Sequence, residues 1–355
     1  MVQNPRFRNF AARMPILRQI ANRRAEALFS VTSGFVQSQV LFACLDTGLL
    51  DLLSKGPVRP EHAANRLQIP QRNFAHLVQS ADALGIVRLS RDGWLTLADA
   101  GAVVASDHGL AAMIRHHAAF YRDLADPTSL LRGSTGRTEM AQLWSYAGTE
   151  RDPVNERQAA DYSAVMSASQ EMLAGEILDA VDLRGVTGLL DVGGGEGIFA
   201  SAVARHHKAM RIGVFDLPPV ADRARQRFST GPLSGRIECH GGSFLTDALP
   251  SGHDAMSLVR VCFDHGDETV IRLMQAIRKA LPNHGQLLIA EPMAGSSKGE
   301  KLSAAYFAFY FLAMGSGRCR SAEELVQLAG KAGFTRFELR RCRTPMLVSV
   351  LVARP

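Results

Sequence analysis

Cysteine is scarce in this chain of 355 residues: Cys44, Cys239, Cys262, Cys319 and Cys342 stand far apart, with no CxxC pair. That spacing offers neither a zinc site nor a disulfide framework and fits a reducing cytosol. Acidic residues are missing from the amino terminus, where Glu26 is the first. Ahead of it Arg6, Arg8, Arg13, Arg18, Arg23 and Arg24 carry as much positive charge as the formal net +6 of the whole chain. These arginines interrupt every apolar run in the first residues, which argues against a signal-peptide core or a transmembrane helix there. No GxxxxGK[ST] phosphate loop occurs anywhere. What is present is 46% hydrophobic, enough for two domains of ordinary size, each with its own core.

Along the arginine-rich arm, residues 1–24, Phe7, Phe10, Ile16, Leu17 and Ile20 interleave with the cations, and Phe29 follows. Such an amphipathic segment suits an anionic membrane surface, and it equally suits a dimer partner on which the apolar side packs. A nucleic-acid partner is not expected, because no basic groove or base-stacking pattern accompanies the arm. Residues 25–180 read mainly as helices. Within them Arg59–Leu67, Pro70–Leu84, Gly85–Leu89 and Trp94–Leu97, with a turn at Arg91-Asp92-Gly93, suggest a winged-helix unit. Its second helix opens on a single cation, Arg72, which is thin for phosphate contacts, so dimerisation and lid roles are expected in place of DNA binding.

From 181 to 355 the pattern alternates. Strands are expected near 188–193, 211–216, 236–241, 254–261, 285–291, 334–341 and 346–353. Helices between most of the first five make this an α/β fold with a doubly wound, Rossmann-like seven-stranded sheet. The last two strands are too close for a parallel crossover and should form an antiparallel hairpin at one edge.

The first strand runs into Asp191-Val192-Gly193-Gly194-Gly195-Glu196-Gly197, and a helix-like stretch follows from Ile198. Glycine permits positive φ and close approach of a ligand to the backbone, the mark of a nucleotide-type cofactor site. The spacing is not that of a dinucleotide fingerprint, since the sixth position from Gly193 is Ile198. Asp216, at the end of the second strand, stands where such a sheet presents a carboxylate to a ribose, although Leu217-Pro218-Pro219 also allows a helix-cap role.

The motif acid-x-Gly-x-Gly-x-Gly with Asp216 resembles motifs I and II of the class I S-adenosylmethionine-dependent methyltransferases. The order of helical domain, winged-helix element and sheet resembles the O-methyltransferases of the plant caffeate and bacterial polyketide type over nearly the whole chain. Within these, Arg115-His116-His117, Tyr121–Pro127, Leu258–Val261, Asp264-His265, Glu291-Pro292-Met293, Tyr306–Tyr310 and Gly317-Arg318 resemble the purple-bacterial branch that methylates 1-hydroxycarotenoids. The resemblance implies S-adenosyl-L-methionine as cofactor, with Asp191, Gly193, Gly195, Asp216, Ser243, Phe244 and Arg260 as its contacts. It implies His265, Glu291 and His117 as catalytic candidates, and a homodimer. The expected substrate is a hydroxylated carotenoid, and the expected location is the cytoplasm or the periphery of the membrane.

The departures from that family bear on mechanism. Phe263 occupies the register of the family's general-base histidine, Cys319 that of an acid that orients it, and Gly241-Gly242-Ser243-Phe244 lacks the carboxylate of the adenine-contact segment. A phenol has a pKa of about 10 and suits a histidine base. A tertiary alcohol is far less acidic, so catalysis should rest on aligning its oxygen behind the methyl group in a dry site. His265 would accept the proton late, with His116 and His117 as rivals of which one alone should reach the pocket. His206 and His207 read as partners of a helix C-terminus. A bulky apolar helix from Tyr306 to Met314, with Tyr162, Met166 and Met172 on another, would line an acceptor tunnel. The alternatives are an O- or C-methyltransferase acting on a polyketide, an indole or a bacteriochlorophyll precursor, and a winged-helix regulator that senses the cofactor.

Overall fold

A computed structural model describes residues 15–143, 170 and 173–355. Arg6, Arg8 and Arg13 of the arm, and Tyr162, Met166 and Met172 of the expected tunnel, lie outside the described residues. The chain divides into two compact units, the first ending at Arg115 and the second beginning at His116. The division falls upstream of residue 180, where the sequence changes from helical to alternating patterns.

The first unit holds α1 (Pro15–Asp46), α2 (Leu49–Leu53), α3 (Pro60–Arg66), α4 (Gln71–Ala83), β1 (Val87–Leu89), β2 (Leu95–Leu97) and α5 (Asp99–Ser106), and α6 (His108–Asp123) begins in it. Pro60 occupies the first turn of α3, where its missing N–H is no loss. The stretch read as a winged-helix unit supplies α3, α4 and an antiparallel β1–β2 hairpin that pairs Val87 with Leu97. Gly93 takes φ +78° in its turn. Leu49, Leu50, Phe74, Val78 and Leu95 are buried together.

One sequence expectation needs correcting in α1. The arginines stop at Arg24, and after Glu26 no charge follows until Asp46. By length and composition Arg18–Asp46 is therefore apolar enough to cross a membrane. Most of this helix is uncovered: Leu28 is 65% exposed, Phe29 71%, Val31 79% and Phe35 71%.

The second unit adds α7 (Pro127–Leu131), α8 (Glu139–Leu143) and the sheet strands β3 (Gly188–Val192), β4 (Arg211–Asp216), β5 (Ile237–Gly241), β6 (Ala255–Val259), β7 (Gln286–Glu291), β8 (Arg336–Arg341) and β9 (Ser349–Arg354). Its longer helices flanking the sheet include α9 (Ile198–His206), α10 (Pro218–Arg227), α11 (Asp267–Ala280), α12 (Lys298–Met314) and α13 (Ala322–Lys331), and residues 173–180 are also helical. The sheet order is β5-β4-β3-β6-β7-β9-β8, with β3 to β7 parallel. Every residue of β3, β6 and β7 is buried, as expected for strands covered on both faces, and this explains why they are apolar apart from Asp191, Ser257, Gln286 and Glu291. One face packs Leu189, Val214 and Ile237 against Phe199 and Val203 of α9; the other packs Leu190, Met256 and Leu258 against Leu273 and Met274 of α11. The closing hairpin is antiparallel, with β9 inserted between β7 and β8. Because β3 pairs with both β4 and β6, the strand order reverses there, and ligands of such sheets bind beyond the carboxyl ends of the strands at that point.

Candidate active site

The residues singled out in the sequence fall at those carboxyl ends. Leaving β3, the chain turns through Gly193, Gly195 and Gly197 at φ +69°, +58° and +77°. The three glycines are needed for different reasons. A Cβ on Gly193 would stand 2.8 Å from Val261 Cγ2, and one on Gly197 2.7 Å from the Phe228 ring, so these two let the turn pack on its neighbours. A Cβ on Gly195 would meet no atom within 4 Å, and there the requirement is the backbone conformation itself. The Gly195 N–H donates to Asp216 Oδ2 at 2.7 Å, and Leu217 N–H donates to Oδ1 at 2.7 Å. Asp216 thus ties the glycine turn to the end of β4 and to the residue that precedes α10, without capping that helix. Arg223 on α10 adds an ion pair at 3.1 Å to Glu196 in the same turn.

Asp191 points within the sheet and accepts a 2.6 Å hydrogen bond from Ser257 Oγ, its register partner on β6. Burial, countered by that bond and reinforced by the nearby Asp216 charge, pushes its pKa up to about 7. Its other oxygen lies 2.7 Å from where a Cβ on Gly194 would be, so the carboxylate also supports the turn from below.

Beyond β5, Gly242 N–H donates to Asp216 O at 2.9 Å, and Ser243 and Phe244 follow. Sequence reading found no carboxylate here, but Asp247 supplies one: its Oδ2 accepts from Ser243 N at 2.8 Å. The Phe244 ring meets His265 edge-on, with centroids 5.5 Å apart. His265 therefore stands beside the ring expected at the cofactor. Burial, then the Arg320 cation, lowers its pKa to about 4.

The segment after β6 is held unusually firmly. Arg260 takes φ +57°, a left-handed conformation uncommon outside glycine and frequent at functional sites. A 3₁₀ turn, Cys262–Asp264, carries Phe263. Glu291, fully buried at the end of β7, accepts the Phe263 N–H on Oε2 at 3.0 Å, while Oε1 has no hydrogen-bond partner among the described residues. Burial raises the Glu291 pKa to about 7, which favours the neutral acid below neutrality. From the other side, Gly317 at φ +85° lets the chain pass against Phe263 O, and Arg318 N–H donates to that oxygen at 2.8 Å. The wholly buried Arg320 donates to Cys262 O at 2.7 Å, to His265 O at 2.6 Å and to Asp267 Oδ1. The sequence singled out Gly317 and Arg318 without finding this clamp; the signal available was an arginine two residues past them, with Asp267 in the facing loop.

The Phe263 ring itself projects into an aromatic cluster, 5.8 Å from Phe307 and 5.1 Å from Phe311, with the Arg260 guanidinium 5.5 Å over it. Facing α12, helix α6 presents two histidines. His116 Nε2 lies 3.0 Å from Tyr310 Oη and His117 Nε2 2.6 Å from Tyr306 Oη. Adjacent helical residues point about 100° apart, yet both histidines reach, because Tyr306 and Tyr310, one turn apart on α12, receive one each. Each histidine therefore has a tyrosine partner across the α6–α12 face. Burial, then the neighbouring His117 and Arg260, lowers the His116 pKa to about 4; burial lowers that of His117. Both tyrosines are held well above the usual phenol range, mainly by burial.

The O-methyltransferase domain profile matches residues 121–335. The demethylspheroidene O-methyltransferase of Cereibacter sphaeroides is 42% identical over 351 residues, covering 98% of this chain and 92% of that protein. The chain belongs to the O-methyltransferase family. The demethylspheroidene O-methyltransferase of Rhodobacter capsulatus is 40% identical, with 96% of this chain and 85% of that one covered. Human N-acetylserotonin methyltransferase, solved in complex with SAM, shares the fold at a TM-score of 0.78 with 22% identity, covering 93% of this chain and 97% of its own.

Within this methyltransferase the sequence candidates separate into two groups. Asp191, Gly193, Gly195, Asp216, Ser243, Phe244 and His265 gather about the ends of β3 to β6. Arg260 and Glu291 stand with Asp264, Tyr306, Tyr310 and His116 in one electrostatic neighbourhood, for the Arg260 charge acts on all five of the others. His117 belongs to the α6–α12 face, with Tyr306. His206 Nδ1 lies 2.8 Å from Ala202 O at the last turn of α9, a local helix-end contact.

Proposed function

We propose that this O-methyltransferase transfers the methyl group of S-adenosylmethionine to the tertiary hydroxyl of a 1-hydroxycarotenoid, working as a homodimer in contact with a membrane surface on its cytoplasmic side. The observation that carries the substrate class is the Phe263 ring in the register of the family's base, packed against Phe307 and Phe311. A wall of this kind suits a long hydrocarbon with an unactivated alcohol better than it suits a phenol. The names of the two curated relatives point the same way.

Asp216 would accept the ribose hydroxyls, the Gly195 backbone would leave room for the cofactor, and Phe244 with His265 would hold the adenine. The sulfonium supplies an activated methyl group. Glu291 and Arg320 fix the loop that carries Phe263, Phe263 excludes water, and Arg260 sets the field at the acceptor end. Alignment in a dry site then lowers the barrier. The uncovered apolar surface of α1 is taken up by a second copy of the chain, and the six arginines of the arm face anionic lipid. The test is product formation from labelled cofactor with a 1-hydroxycarotenoid in detergent, against a naphthol, an indole and a polyketide phenol. Methylation of a phenol and not of the carotenoid would replace the substrate class; cofactor binding with no transfer to any alcohol would favour a sensor.

A further inference from the structure

We propose that Tyr306 and His117 form a proton relay for the acceptor alcohol, the tyrosine oxygen touching the substrate hydroxyl and the imidazole receiving the proton. The proposal rests on the alcohol O-methylation stated above. With Phe263 in the base register, the proton lost by the alcohol needs another destination. Two half-buried His–Tyr pairs, in a cluster that also holds Phe120, Phe263, Phe307 and Phe311, are polar groups that α6 and α12 bring together.

Hydroxyl and imidazole groups in such surroundings are costly unless hydrogen-bonded, and each pair satisfies itself. The satisfaction is incomplete in a useful way. A tyrosine that donates its proton to Nε2 keeps oxygen lone pairs able to accept from another hydroxyl. Burial favours protonated tyrosines and neutral histidines, and with the His117 proton on Nδ1 the Tyr306 O–H donates to Nε2, the tautomer that the relay requires. Of the two pairs, His117–Tyr306 is the better sink. Its bond is 2.6 Å against 3.0 Å, and Tyr306 is half-buried where Tyr310 is closed in. A new cation on His116 would meet the Arg260 charge.

The step balances. A lone pair of the alcohol oxygen forms the bond to the methyl carbon as the carbon–sulfur pair returns to sulfur. The hydroxyl proton passes to Tyr306 Oη while the tyrosine's own proton passes to His117 Nε2. One positive charge leaves the sulfonium and appears on the imidazolium, and Tyr306 is neutral before and after. His117, half-buried, then returns its proton to solvent.

The test uses the full chain with a 1-hydroxycarotenoid in detergent and compares wild type with Tyr306→Phe, His117→Gln and the double variant. Calorimetric binding of S-adenosylhomocysteine certifies that each is folded. Each single variant should lose about 10²-fold in kcat, the lower end of what general base catalysis contributes. The double variant should lose no more than about threefold beyond either single, because groups acting as one unit are not additive. The acid limb of the wild-type kcat profile, set by His117 below its ordinary pKa of 6.5, should vanish in His117→Gln. Loss under fivefold in a Tyr306→Phe variant that binds cofactor normally, multiplicative losses, or an acid limb that survives His117→Gln would each overturn the relay. If wild type methylates a phenol and not the alcohol, the substrate reading fails first, and the relay falls with it.

Discussion

Single residues carry the sharpest expectations, because the site combines groups that look alike in sequence and differ in surroundings. Asp216→Ala removes the acceptor of two backbone N–H groups along with the proposed ribose acceptor. It should weaken S-adenosylhomocysteine binding about 10²-fold, as expected for loss of charge-assisted bonds, with the fold retained by circular dichroism. Gly193→Ala and Gly195→Ala share the strain of a positive φ and differ in packing, since the first alone meets a neighbouring side chain. The first forces a methyl group against Val261 and should lower stability by about 1–3 kcal/mol; the second should cost less in Tm and more in cofactor affinity, and equal Tm losses would refute the distinction. Glu291 has a pH signature. Its pKa is about 7 when folded against an ordinary 4.5, so its contribution to stability is complete below about 4.5 and is lost as pH rises through about 7. Glu291→Gln should flatten the fall in Tm across that window, and an unchanged slope would mean that Glu291 is ionised in the folded enzyme.

At the scale of elements, the decisive object is the segment from Arg260 to Asp267, gripped by Glu291 on one side and by Gly317 to Arg320 on the other. Arg320→Leu leaves the His265 carbonyl oxygen without its arginine donor and the Cys262 carbonyl with the His265 N–H alone. At about 1–3 kcal/mol for a buried unsatisfied group, Tm should fall by several degrees and kcat should fall with it. Phe263→His should not restore a base: if alignment limits the reaction, turnover on the tertiary alcohol stays level or falls, whereas a tenfold gain would show that proton removal at that position limits it. How much of this was legible differs by element. The strands β3, β6 and β7 could be read because burial on both faces forces mostly apolar runs, and the glycine turn because positive φ leaves few other residues possible. The Arg320 clamp could not, since a buried arginine looks like a surface arginine until its carbonyl partners are known. The two His–Tyr pairs were half visible: His116-His117 and the Tyr306–Tyr310 stretch stood out, but which hydroxyl meets which imidazole depends on how α6 faces α12.

For the whole molecule, α1 sets the terms. Its cations end at Arg24 and its apolar residues continue, so charge and hydrophobicity occupy successive lengths of one helix. Deleting residues 1–24 should abolish binding to anionic vesicles at low salt, since each basic residue near such a surface contributes about 1 kcal/mol, while sedimentation should still report a dimer. The double substitution Phe29→Glu and Phe35→Glu should do the reverse, giving monomers that still bind vesicles. If both variants bind vesicles as dimers, neither role belongs to this helix.

The position of β9 has a consequence for the order in which the protein is made. In sequence β8 comes first, yet in the sheet it touches only β9, which separates it from β7. As the nascent chain leaves the ribosome, the five parallel strands have emerged before β8, but β8 has no edge to join until Ser349–Arg354 follow. Until then the flank of β7 is an open strand edge of the kind that recruits other chains. Amide protection in β8 should therefore appear together with that of β9, after the parallel sheet is closed to exchange, and the interval between the two is when a chaperone has most to guard.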